Sequence, residues 1–123
     1  MKLHLSRPEG RNQITSCGTG FVVVNGVRHA RSLLVTPLEL IADWPPSREQ
    51  PLASPHLHAA LALQPEVVLV GTGAQLHFPP AEVIRPLIEA GIGYEIMDTS
   101  AACRTYNILM AEGRRVLAAL IID

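Results

Sequence analysis

The apolar positions of the chain change period several times, and each change marks an element. Residues 67–70 (Val67, Val68, Leu69, Val70) form a continuous apolar run of strand length, as does most of 115–122. Such runs mark strands covered on both faces. Between and before them the apolar residues fall at helical spacing. Ser54 and Pro55 suit an N-cap and a first helical position, and Ala59, Leu61, Ala62 and Leu63 continue that helix to a stop at Pro65. Val83, Ile84, Leu87 and Ile88 trace a second helix closing at Gly91, with Pro86 inside it predicting a kink or an early stop. Residues 92–97 read as the next strand, and a third helix is expected from about Ser100 to Glu112, stopping at Gly113.

The first part of the chain has a different pattern. A short strand is expected around residues 3–5, then a loop, with extended pairing near Ile14. Two β-prone runs, 21–24 and 27–35, flank Asn25-Gly26. That dipeptide predicts a hairpin, because a type I′ turn needs positive φ at both central residues. Residues 38–41 suggest a further brief strand. Pro45, Pro46, Pro51 and Pro55 then punctuate a loop that holds neither a helix nor a central strand. Trp44, just before them, reads as a plug at a core edge.

Helix-linked buried strands favour parallel pairing with helices on the sheet faces. The hairpin pairs antiparallel. The expectation is therefore one α/β domain over residues 1–123, with a mixed, largely parallel central sheet and an N-terminal β-hairpin.

Composition narrows the function classes. The chain has 123 residues, of which 48% are hydrophobic, enough for a core. A net charge of −1 and 4% aromatics supply neither the basic patch nor the stacking platform that nucleic acid requires. No apolar run near either end approaches the roughly 20 residues that span a bilayer, and neither a signal peptide nor a transit segment is evident. A cytoplasmic location is the expectation. Cys17 and Cys103 are therefore read as free thiols, although they are able to pair. The five histidines are not spaced with the cysteines as zinc ligands, so no metal and no cofactor are expected.

Polar chemistry concentrates at two loops that follow buried strands. Gly71-Thr72-Gly73 ends one, and Asp98-Thr99-Ser100 ends the next and opens the third helix. In an open α/β sheet, ligands bind at that edge. Gly71 and Gly73 let backbone amides approach a ligand, Thr72 and Ser100 add hydroxyls, and a helix N-terminus favours an anion. Arg104 offers a bidentate contact to a carboxylate or phosphate. His77, soon after the first loop, and Asn107, beside Tyr106 on the helix, complete the candidate set. The plainer alternative is a tight glycine turn followed by an Asp98, Thr99 or Ser100 cap. No phosphate-loop or dinucleotide fingerprint is present.

Cys103 has two readings as well. Near a helix N-terminus and beside Arg104 it resembles an activated thiol, yet no base is placed beside it, and a small buried helix cysteine is the simpler reading. Along that helix, Ala101, Thr105, Ile108, Leu109 and Glu112 share one side, while Arg104, Asn107 and Ala111 face another way.

Together, residues 67–75, then Met97-Asp98-Thr99 with residues 102–109, then 112–116, resemble a small α/β domain family of unknown function. That family includes mitochondrial respiratory complex I assembly factor 3 and the adipogenesis-associated domain proteins, with stand-alone bacterial members. The resemblance implies a compact three-layer α/β/α domain and carries no catalytic residue across. It points to a non-enzymatic binding or respiratory-complex assembly-type factor, with subunits or assembly factors of such a complex as protein partners. The rival readings are an anion or small-molecule site between the two loops and, third, a thiol-dependent enzyme using Cys103. The hairpin edge also allows a homodimer.

Overall fold

In the computed structural model of the protein, which describes residues 10–123, Asn25 (φ 52°) and Gly26 (φ 82°) both lie in the left-handed region. This is the geometry that the type I′ turn demands. The turn joins β2 (Phe21–Val24) to β3 (Val27–His29), and β1 (Ile14–Gly18) lies antiparallel along the other edge of β2. Asn25 also secures β1, because its Oδ1 accepts from the Gln13 N–H at 2.9 Å. The strand expected at 3–5 lies outside the described residues.

The run 27–35 is not one hairpin arm. It breaks at Ala30, Arg31 and Ser32, and β4 (Leu33–Val35) leaves for a second sheet. Val27 is 59% exposed, whereas Leu33, Leu34 and Val35 are fully buried. A two-strand edge cannot cover both faces of three large apolar residues, so burial draws the second half into the centre of the molecule.

The second sheet has the order β5-β4-β8-β6-β7, with β5 at Leu40–Ile41, β6 at Val67–Gly71, β7 at Gly93–Met97 and β8 at Val116–Leu120. β8, β6 and β7 run parallel, and β4 meets both β8 and β5 antiparallel. The sheet is mixed, as expected. Alternate residues of its central strands feed two cores. Val68, Val70, Leu117 and Ala119 pack with Leu57 of α1 (Ser54–Leu61) and Leu87 of α2 (Ala81–Glu89). Leu69, Val116, Ala118 and Leu120 pack with Tyr106 and Met110 of α3 (Thr99–Ala111), together with Val22 and Val24 of the three-stranded sheet. Three layers result, with helices on both faces.

Details of the helices differ from the pattern reading. α1 ends at Leu61, short of Leu63, and its N-cap is Ala53 rather than Ser54. Pro86 does not end α2. It is buried inside the helix, which runs on to Glu89, so the apolar contact is kept at the cost of one backbone bond. On α3 the buried residues are Ala102, Cys103, Tyr106 and Met110, and Ile108 is 59% exposed. The expected apolar side was displaced around the helix, because Ala102 and Cys103 are small and weigh little in a hydrophobicity count although they seat directly on the sheet. Trp44 is 4% exposed and lies in the α1/α2 core, its Nε1–H donating to the His56 carbonyl at 3.2 Å. It plugs the core edge as read.

A cleft at the carboxyl edge of the sheet

The parallel strands β6, β7 and β8 deliver three chain segments to one edge: the loop from Thr72 to Pro80, the start of α3, and residues 121–123. The strand-end glycine is there for space. A Cβ on Gly71 would stand 3.0 Å from Thr99 Cα, closer than an added methyl tolerates without a backbone shift. Gly73 has φ +101°, and a Cβ there would meet the Asp123 carboxylate at 2.9 Å. Both glycines let backbone approach backbone or carboxylate.

The polar atoms of these loops are spent largely on one another. Thr72 N–H donates to the Met97 carbonyl at 2.9 Å. Gly73 N–H donates to Thr99 Oγ1 at 2.8 Å, and Thr99 N–H returns a bond to the Gly73 carbonyl at 2.9 Å. Thr99 Oγ1 in turn donates to the Ile121 carbonyl at 2.7 Å. The Thr72 hydroxyl donates to the Gln75 carbonyl at 2.7 Å and accepts the His77 N–H at 3.1 Å. Asp98 Oδ1 caps α3 by accepting the Ala101 N–H at 2.9 Å. Thr99 is thus the stitch that holds three strand ends together, and the amides of Thr72 and Gly73 are committed before any ligand arrives.

Two depressions remain, side by side. The larger encloses about 420 Å³ and is lined by Thr72, Gln75, His77, Phe78, Pro79 and Pro80 on one side, and by Arg48, Pro51 and Leu52 from the proline-rich loop on the other. The smaller, about 250 Å³, is lined by Gly73, Thr99 and Ser100 together with Cys17 and the turn after β1. Ala74, Ile121 and Asp123 border both. The expected site residues therefore divide: Thr72 and His77 on the larger cleft, Gly73, Thr99 and Ser100 on the smaller. Gly71 is buried in β6, and Asp98, Arg104 and Asn107 line neither depression. Arg104 instead donates from Nη1 to Ser100 Oγ at 2.9 Å. The side-chain amide of Asn107 binds β1, with Nδ2 donating to the Ile14 carbonyl at 2.6 Å and Oδ1 accepting the Ile14 N–H at 2.9 Å.

Arg48, Phe78 and Asp123 were not legible as site residues. Arg48 and Asp123 lie far apart in sequence and reach one cleft only through the fold. Phe78 did carry a signal. With Leu76 it places two large apolar residues in a loop after a glycine turn, and in the structure they are 73% and 48% exposed.

Cys103 is 2% exposed, and burial raises its thiol well above the ordinary range, with the neighbouring Cys17 adding to the effect. A catalytic thiol that must stand ionised at neutral pH to begin a reaction needs the reverse shift. Among the described residues no cluster of three or more His, Cys, Asp or Glu is placed to hold a metal ion, and no helix is long and apolar enough to cross a membrane.

Fold and site define a class: small mixed α/β proteins with an antiparallel three-stranded sheet clasped to one helix and a cleft at the carboxyl edge of the parallel strands. The chain belongs to the family described as protein of unknown function DUF498/DUF598, whose model matches residues 14–121. The crystal structure of a Bordetella parapertussis protein is similar to it at 45% identity and a TM-score of 0.87, covering 94% of this chain and 99% of that one. NADH dehydrogenase (ubiquinone) 1 alpha subcomplex assembly factor 3 of Bos taurus is 36% identical over 104 residues, which are 83% of this chain and 55% of that protein. A Francisella tularensis protein named 13 kDa major membrane protein is 39% identical over 72 residues, 58% of each chain. The chain thus spans little more than half the length of these two curated relatives. The resemblance read from the loop motifs holds.

Proposed function

We propose that this protein is a non-enzymatic binding factor of the assembly type, which docks a protein partner on the larger cleft. One observation carries the reading. The loops bind one another with their polar groups, while Leu76 and Phe78 stand exposed beside a cleft edged by Pro51, Leu52, Pro79 and Pro80. Exposed apolar residues gathered at a concave site mark an interaction surface. The similarity to a complex I assembly factor supports partners of the respiratory-complex type, subunits or fellow assembly factors, and a cytoplasmic site of action fits this reading. Affinity capture from native extract should recover a partner with the wild-type chain, and Phe78→Ser should lose it with Tm unchanged. Equal capture by both proteins would sink the proposal.

A second reading rests on the size of the cleft, since about 420 Å³ lies in the range of small-molecule sites. An anionic ligand there would be met by Arg48 and His77, rather than by Arg104 and the Gly71–Gly73 amides. Thermal-shift screening with acidic metabolites and nucleotides tests it: stabilisation that Arg48→Ala removes supports the site, and none at millimolar ligand rejects it.

A further inference from the structure

Cys17 and Cys103 come from elements distant in sequence, β1 and α3, and the fold brings them together where the small sheet meets that helix. Cys17 packs against the core cluster that contains Cys103. Its Sγ also lies 3.9 Å from Ser100 Oγ, three residues before Cys103 and on the same helical surface. The two sulfurs differ in access. Cys103 is 2% exposed, whereas Cys17 is half-buried and lines the smaller depression, about 250 Å³, which opens beside Gly73 and Ser100.

We propose that Cys17 and Cys103 are a peroxide-sensitive thiol pair, which closes to a disulfide that locks the three-stranded sheet onto α3. The joint between β1 and α3 is already aligned by bonds on the Ile14–Asn107 side of the pair, with the Cys17–Ser100 contact on the other. Asn107 holds both backbone groups of Ile14, the Tyr106 hydroxyl donates to the Asn12 carbonyl at 2.9 Å, and Arg11 Nη1 donates to the Met110 carbonyl at 3.1 Å. The backbones are therefore held side by side, and closing the bond brings the two sulfurs to the roughly 2.05 Å of a disulfide.

The chemistry balances with a hydroperoxide as oxidant. The Cys17 sulfur attacks one peroxide oxygen, the O–O bond breaks, and hydroxide leaves with the thiol proton as water, giving a sulfenic acid at Cys17. The Cys103 sulfur then attacks Cys17 Sγ and expels the sulfenic hydroxyl, which leaves with the Cys103 proton as a second water. Two thiols are oxidised to one disulfide and one peroxide is reduced. The order follows from access: the half-buried thiol, on the wall of the depression, meets the oxidant and the fully buried one resolves it.

The test uses the reduced, full-length chain and one equivalent of hydrogen peroxide. Peptide mapping without reductant should find Cys17 linked to Cys103 in a monomer 2 Da lighter, with Tm raised by on the order of 10 °C as expected for closing a long loop. Dithiothreitol should reverse both changes. Cys103→Ala should trap a Cys17 sulfenic acid that takes up dimedone. Cys17→Ser, changed at the half-exposed position, should show neither the mass change nor the Tm shift, and it carries the comparison should the buried variant not fold. A persistent Cys17 sulfenic acid in the wild type, a Cys17–Cys17 dimer between chains, or no reaction at either cysteine overturns the pair.

Discussion

His56 begins α1 as an acceptor, with its Nδ1 taking the Ala53 N–H at 2.9 Å and its ring edge-on to Trp44, centroids 6.2 Å apart. Desolvation lowers its pKa from the ordinary 6.5. The sign of the pH effect follows from linkage. Above pH 6.5 the imidazole is neutral in both states and its contribution is complete. As the pH falls through 6.5 the unfolded chain binds a proton that the folded chain does not, so stability declines until the folded-state pKa is passed. In urea unfolding, the wild type should exceed His56→Ala at pH 7.5, and the margin should shrink by pH 5. A margin that stays constant or widens would contradict the assignment. Gly73 shows the other kind of residue constraint: positive φ and an opposing carboxylate both forbid a side chain.

α3 is the element on which the site and the small sheet both depend. Its first turn is capped by Asp98 and stitched through Thr99, and its middle holds β1 through Asn107. The Asn107 amide acts as a surrogate strand edge, supplying one donor and one acceptor to the outer side of Ile14. Replacing it with Ala removes two backbone partners at a part-buried joint, which should cost about 1–3 kcal/mol. Hydrogen exchange distinguishes this from a general loss, because the Ile14 amide should lose more protection than those of β6. Equal loss everywhere would refute the local clasp. Tyr106 lies wholly within this joint, and burial raises its phenol.

At the scale of the molecule, one corner decides how the two sheets are joined. The chain leaves β3 and enters β4 at Ser32, which is buried. Its Oγ donates to the Pro46 carbonyl at 2.6 Å and accepts the Ile122 N–H at 2.9 Å. That hydroxyl ties the ribbon exit, the proline-rich loop and the C-terminal end of β8 at one point. Ser32→Ala leaves an acceptor and a donor without partners in the interior and should lower stability by about 2–4 kcal/mol. Because Pro51 and Leu52 of the same loop line the larger cleft, the variant should also loosen that wall. Denaturant unfolding gives the stability change, and a value within experimental error of zero would show that relaxation or water replaces both bonds.

The sequence alone determined the elements whose signal is local. The Asn25-Gly26 turn, the buried strands at 67–70 and 115–122 and a helix cap among Asp98, Thr99 and Ser100 follow from backbone sterics, burial on both faces and helix-end hydrogen bonding, all of which act over a few residues. It also carried the family resemblance. Tertiary structure decided what needs distant partners. It split the run 27–35, because only the central sheet buries Leu33, Leu34 and Val35. It set Cys17 of β1 against the cluster that holds the buried Cys103. It also divided the expected crevice in two, because Thr99 uses the Gly73 amide and the Ile121 carbonyl while Asp123 stands between the halves. A motif lists the donors and acceptors a loop possesses. Which of them stay open to a partner depends on what the rest of the chain brings within about 3 Å.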